Sequence, residues 1–181
     1  MNTLSEKCAV SGIGETAYVR GSGKSVPALQ MEASLAAIAD AGLTPRDIDG
    51  IIPYANNEVV AEDFATNFGL ENLRFSATTP MGGASSVAAL QAAAMAIVTG
   101  VANHVLIPLG RNGYSQIRVG MRMQQLPQFR LVGEFEMPSG AVAPAQFYAP
   151  MARRHMELYG TTSLQFGRIA VNTREMVLKN S

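Results

Sequence analysis

The chain has 181 residues, 48% hydrophobic and 15% charged, which is enough apolar material for a sizeable core and argues against disorder. Fourteen basic side chains balance fourteen acidic ones, which removes bulk electrostatics as a route to nucleic acid or an anionic membrane. A single Cys8 excludes an internal disulfide framework, and His104 and His155 stand alone without zinc spacing, so no metal site is expected.

The opening residues have no apolar signal core, and no run reaches spanning length, so the expectation is a cytoplasmic protein with no membrane span. Lys7 to Ile13 alternates small and β-branched residues and stops at Gly14. It reads as a first strand with Cys8 packed in the core. Two phosphate-loop look-alikes come next. Gly12 to Ala17 has dinucleotide-fingerprint spacing but opens no helix, and Gly21 to Ser25 ends like a P-loop but has no strand immediately before it. Both read as ordinary glycine turns.

Val26 to Ala41 is patterned as a helix, with Pro27 in its first turn, Leu29, Ala33, Ala36, Ala37 and Ala41 on a narrow face, and Gly42 as its stop. A turn at Thr44 to Asp47 leads to a buried-type strand from Gly50 to Tyr54. Val59 to Phe68 is a second helix ended by Gly69, and Leu73 to Ala77 is the next strand.

The segment Ala84 to Thr99 holds no charge and is small or apolar nearly throughout. As a helix of about 24 Å it belongs inside a soluble core and is expected to be the most buried element. Its start carries Met81, Gly82, Gly83, Ala84, Ser85 and Ser86, where glycines permit close approach and free N–H groups carry the positive end of the helix dipole. A strand feeding a buried helix through such a turn can stabilise an anion. Ser85 or Ser86 caps the helix on the ordinary reading and substitutes for a nucleophile on a less ordinary one.

His104 to Leu109 forms a fourth strand closed by Gly110. Strand and helix alternate throughout, which predicts an α/β fold, a mainly parallel sheet with helices on both faces. From Arg111 to Gly140 the periodicity fails and a long lobe or loop is expected. Pro144 to Tyr159 and a helix opened by Thr162 or Ser163 close the chain, giving domains of 1–110 and 111–181. Arg74, Arg111, Arg118, Arg122 and Arg130 lie in a stretch without acids from Asn72 to Gly133, and suit either phosphate groups or solvent. His104 reads as a strand-end residue and His155 as part of an exposed helix face.

Several ordered segments together resemble the amino-terminal half of the thiolase superfamily, in its sterol-carrier or lipid-transfer branch. They are Val10 to Thr16, Ala36 to Leu43 with Asp47 to Gly50, Ala94 to Gly100, Ala152 to Met156 and Tyr159 to Ser163. The resemblance implies a layered fold of two similar halves, with a buried helix from each, usually dimeric. This chain would supply one half plus the loop lobe. Anchoring on Ala94 to Gly100 puts Gly83 where the family's nucleophilic Cys stands. The Gly82-Gly83 turn is similar to that of thiolase-like steroid side-chain aldolases. Those enzymes lack this nucleophile and cleave a carbon–carbon bond of a coenzyme A thioester by a retro-aldol route, with a small zinc-ribbon and oligosaccharide-binding-fold partner.

The resemblance further implies an acyl-coenzyme A substrate, held by Met81 to Ser86 with Arg111 and Arg118 on its phosphates, and no covalently bound cofactor. Either a homodimer or a hetero-oligomer with such a small subunit is implied. Two alternatives stand beside it: a non-catalytic thiolase-fold subunit, and a conventional acetyl-CoA acyltransferase. With Gly83 for Cys and no assigned general base in the chain, whether it is itself an enzyme stays open.

Overall fold

The computed structural model describes residues 4–54, 59–114 and 130–179. The chain divides into two compact units, Met1–Gln116 and Ile117–Ser181.

In the first unit the alternation of elements follows the sequence pattern. Helix α1 spans Val26–Asp40, strand β1 Gly50–Ile51, α2 Ala61–Phe68, β2 Phe75–Ser76, α3 Ser85–Val98 and β3 Val105–Leu106. The strands make one parallel sheet in the order β2-β1-β3. Ladder bonds run past the short strands, from Gly50 N–H to His104 O, Ile52 N–H to Leu106 O and Tyr54 N–H to Pro108 O. The fully apolar Gly50–Tyr54 run is thus the middle strand, which must be covered on both faces.

Because successive strand residues point to opposite faces, Ile51 and Ile52 seed two different cores. Ile51 packs with Val26 and Ile38 of α1, Ala61 and Phe64 of α2, and Leu106. Ile52 packs with Ala89 and Ala93 of α3, beside Phe75 and Val105. Helices therefore cover both faces, α1 and α2 on one and α3 on the other.

Local chemistry sets the helix ends. The Ser25 hydroxyl accepts the Ala28 N–H, with Pro27 in the first turn, and Asp63 caps α2 by accepting the Val60 N–H. Gly69 closes α2 in the left-handed conformation.

Three expectations need correction. The first concerns Lys7 to Ile13, which pairs with no strand among the described residues, and Cys8, which is exposed rather than in the core. The segment lies along α1 instead: a Cβ on Gly12 would come 2.3 Å from Ala37 O, and one on Gly14 2.2 Å from Ala33 O. Ile13 N–H also donates to the Asp40 carboxylate at 2.9 Å. The same close approach changes the second expectation, the inward face of α1. Of the expected narrow face, Ala36 is exposed and Leu29, Ala33, Ala37 and Ala41 are only half-buried, the alanines receiving this glycine segment, while Val26, Gln30, Ser34 and Ile38 face the sheet. Two polar residues thus sit on the core face, where Gln30 Nε2 donates to Gly110 O.

The third correction concerns α3, which is not the most buried element. Ser85, Ala89, Ala93 and Ala96 are buried, whereas Val87, Leu90 and Met95 are at least half exposed. Small residues let the helix sit close to the sheet and the larger apolar ones point away from it.

Among its described residues the second unit includes helices α4 Pro144–Tyr159 and α5 Ser163–Leu178. Gly160 ends α4 in the left-handed conformation, and Thr162 with Gln165 forms a reciprocal capping box for α5. His155 is exposed, with its ring 4.8 Å from Tyr159 and 6.3 Å from Phe166. Before α4, where an irregular lobe was expected, Val132–Glu136 forms a π turn and Met137–Ser139 a 3-10 turn.

Candidate functional site

In parallel α/β sheets, ligands bind outside the carboxyl ends of the strands. Here β2 runs into Ala77 to Ala84, and β3 into Ile107 to Tyr114. The turn from Met81 to Ser86 and Arg111 therefore both come after carboxyl ends of the sheet. Arg118, the remaining candidate, lies outside the described residues.

The turn is built from its backbone outward. Gly82–Ala84 forms one 3-10 turn leading into α3, with Gly82 at φ +58°, a left-handed value that favours glycine. Ser85, 2% exposed, accepts the Met81 N–H on its Oγ at 3.0 Å, and the Thr79 hydroxyl donates to Ser85 O at 2.9 Å. Ser85 is thus the brace of the turn, not a presented hydroxyl. Thr79 was missed by sequence reasoning, although Thr78-Thr79-Pro80 ahead of a glycine pair is a turn signal.

The expected donors are only partly available. The Ala84 N–H is engaged by Met81 O at 3.2 Å, while those of Gly82 and Gly83 have no partner among the described residues. These two N–H groups stand at the positive end of α3, where an oxygen carrying negative charge is stabilised. Met81 is 62% exposed beside them. Ser86 is half-buried.

Arg111 lines a different cleft. This open cleft of about 500 Å³ is lined by residues 14–19, Ser22 and 109–114, with Leu29 and Ala33 of α1, and has Tyr18 and Tyr114 on its walls. None of Met81 to Ser86 lines it. Arg20 Cζ stands 5.9 Å above the Tyr114 ring. A hydrogen bond to Glu15, and the charge of that carboxylate, raise the Tyr18 hydroxyl above its ordinary pKa.

The amino ends of the strands carry the firmest electrostatics of the unit. Burial would push the Asp49 carboxyl up. Hydrogen bonds from the His104 and Asn103 backbone, the Asn103 amide and the charge of Arg74 outweigh it and hold the group below its usual value. This places exposed His104 at the end of the sheet opposite the glycine turn, so it forms no pair with Ser85 or Ser86. Among the described residues no group of three His, Cys, Asp or Glu side chains could hold a metal.

The chain is 38% identical over 184 residues to a steroid side-chain-cleaving aldolase of Thermomonospora curvata, covering 99% of this chain and 47% of that protein. It is 36% identical to a 17-hydroxy-3-oxo-4-pregnene-20-carboxyl-CoA lyase of Mycobacterium tuberculosis, covering 98% and 47%. An acetyl-CoA acetyltransferase of Methanothermobacter thermautotrophicus is 28% identical, covering 95% and 45%. The chain spans about half the length of the curated relatives it matches. No protein-family model matches it. Among solved structures, an Ltp2-ChsH2(DUF35) aldolase superposes with a TM-score of 0.77 at 38% identity, over 90% of this chain and 41% of that one. The likeness to thiolase-like steroid aldolases therefore holds along nearly the whole chain, and the α/β fold is theirs.

Proposed function

On the footing of that likeness, we propose that the chain is the turn-bearing half of an aldolase, one that cleaves a carbon–carbon bond in a β-hydroxyacyl-coenzyme A thioester of steroid or lipid metabolism. The observation that carries the reading is the turn itself. Gly83, at the head of α3, offers two adjacent free backbone donors with Gly82 and no nucleophile.

The reaction needs little more at this point. A base removes the β-hydroxyl proton, the carbinol C–O becomes C=O, and the Cα–Cβ bond breaks with its electron pair passing into the thioester as an enolate. Protonation at Cα completes a shorter acyl-coenzyme A. The enolate oxygen is the group that gains charge, and fixed N–H donors at a helix start stabilise such an oxygen without reorganising. Gly82 and Gly83 take that role, Ser85 and Thr79 hold them in place, and Met81 lines the acyl path. Arg111 and Arg118 bind coenzyme A phosphates. The base comes from protein outside this chain.

The partner side of the reading is an assembly in which a further protein portion covers the exposed face of α3. Support for it comes from the half-length match and from a structural neighbour whose name joins two proteins. A small zinc-ribbon and oligosaccharide-binding-fold subunit, or a second copy, is the proposed form. No helix among the described residues is long and apolar enough to cross a membrane; the proposed location is the cytoplasm. Conventional thiolysis is the weaker reading, since Gly83 supplies no thiol and Cys8 is exposed on the Lys7–Ile13 segment, away from the turn.

Product analysis tests the proposal. The chain assembled with the protein portion that supplies the base, incubated with a β-hydroxyacyl-coenzyme A, should release a ketone or aldehyde and an acyl-coenzyme A shortened by the same carbons. Recovery of unchanged thioester, or of a 3-ketoacyl-derived acetyl-coenzyme A, would refute it.

A further inference from the structure

Two stretches of extended backbone in the first unit lack partners. In β3 and its continuation, His104, Leu106 and Pro108 offer their carbonyls to the N–H groups of Gly50, Ile52 and Tyr54. The residues between them in a parallel ladder point their N–H and C=O groups the other way, so those of Val105, Ile107 and Leu109 form the outer edge of the sheet. They have no backbone partner among the described residues. The second stretch is residues 8–12, equally without backbone partners among those residues.

Both stretches lie against α1. Gly12 approaches Ala41 and Gly14 approaches Ala33, while Gly110, just beyond β3, meets Gln30, so both head toward the start of the helix. Ala33 and Ala37 each follow the sheet-facing Gln30 and Ser34 by three residues, a rotation of ~60° around the helix. At ~10 Å from the helix axis this rotation carries residues 12–14 ~10 Å sideways from the end of β3, about two strand spacings. Paired strands stand one spacing apart, so the gap is one strand wide. Farther along, the same gap opens into the cleft of about 500 Å³ between residues 14–19 and 109–114, with Leu29 and Ala33 on its α1 side. The segment is kept from closing onto β3 by its own contacts, the glycine packing on α1 and the Ile13 N–H on the Asp40 carboxylate.

We propose that this slot, between β3 and residues 7–13, takes one extended strand from protein outside this chain. The strand pairs with both edges and turns small or apolar side chains toward Leu29, Ala33 and Ala37. Backbone bonds supply the affinity of such an addition, and alternate side chains its choice of sequence. A slot bounded on both sides admits a lone strand but not the sheet edge of a second copy, which brings further strands with it. The match to only 47% of the length of two curated relatives supports a further polypeptide portion as the source. The slot is a different surface from the exposed face of α3.

Hydrogen–deuterium exchange tests this on the purified protein, with any subunit that copurifies, and on the 181-residue chain alone. In the chain alone the amides of Val105, Ile107, Leu109 and residues 8–12 should exchange freely, and in the assembly they should slow together by about a hundredfold. Leu109→Pro removes one outward N–H and no bond to β1, so it should lift the protection of residues 8–12 in the assembly while the chain alone melts as before. Protection of both edges in the chain alone overturns the inference. If independent of concentration, it means that the edges pair with each other, and if it rises with concentration, a second copy fills the slot. Purified protein whose edges stay unprotected, with or without a copurifying subunit, also overturns it, as does full protection in a folded Leu109→Pro assembly. Should that variant fail to fold, the wild-type comparison decides alone. Cleavage activity is no part of the readout, so failure of the aldolase reading leaves this inference standing.

Discussion

The hydroxyl of Ser85 accepts the backbone N–H of Met81 at 3.0 Å, closing a loop around the glycine pair at the head of α3. A serine used in this way is fixed and 2% exposed, so it shapes the site without attacking a substrate. Replacing it with alanine removes that bond, leaves the Met81 N–H to Thr79 O alone at 2.8 Å, and should cost about 0.5 to 1.5 kcal/mol of stability. Thermal melting of Ser85→Ala checks the loss. Intact-mass spectrometry after exposure to acyl-coenzyme A should find no acyl group on Ser85 in the wild type, and an adduct there would make it a nucleophile after all.

Packing beneath the turn gives a second expectation. Ala93 is 6% exposed and sits in the core around Ile52, so its methyl group sets how closely α3 approaches the sheet. Ala93→Leu should overpack that contact and cost about 1 to 3 kcal/mol. The same change at exposed Gln91 should be close to neutral. Chemical denaturation of both variants makes the comparison; equal effects would mean that α3 does not seat on this face.

Asp49 ties β1 to the start of β3 through Asn103 and His104. Its folded-state pKa is depressed, so its contribution to stability is present above the unfolded value of about 4. That contribution falls away as pH drops through the lower folded value. The wild type should therefore lose stability below about pH 4 more steeply than Asp49→Asn, which should be less stable at neutral pH. Melting curves across pH 2 to 7 test the sign, and parallel curves for the two proteins would contradict it.

The exposed stripe of Val87, Leu90, Met95 and Val98 on α3 predicts association, because contiguous apolar surface of this kind marks an interface. Light scattering on the isolated 181-residue chain should show a species larger than a monomer, or strong binding of a hydrophobic dye. A dye-negative, cooperatively melting monomer would mean that this face needs no cover.

How far the sequence carried these conclusions differs from element to element. Gly50 to Tyr54 reads directly as a buried strand because all five residues are apolar or small, and such a run fits only the middle of a covered sheet. The cap at Thr162 is legible as one of two neighbouring hydroxyl residues, whereas the Ser25 cap was not read, although both depend on a side chain three residues from its partner. Lys7 to Ile13 misleads because period-two alternation specifies an extended chain but not a neighbour, and the segment's glycines dock it on α1. The faces of α1 and α3 misled for a related reason. Alanine fits both a core and a helix-to-strand contact, so composition alone does not say which side turns inward. Of the site, the glycine turn was legible from Gly82-Gly83, whereas the brace formed by Thr79, Met81 and Ser85 depends on a hydrogen-bond pattern that no periodicity encodes.

The aldol-type account differs most sharply from thiolysis in its need for free coenzyme A. A retro-aldol step consumes none, because the thioester leaves intact as the shorter acyl-coenzyme A. Thiolysis requires a second thiol to take up the acyl group. The direct measurement is turnover of a β-hydroxyacyl-coenzyme A by the intact, assembled protein in buffer scrubbed of free coenzyme A, with the carbonyl product followed over time. The account predicts a steady rate that added coenzyme A does not raise, whereas a reaction that stalls without coenzyme A and resumes when it is supplied would contradict it.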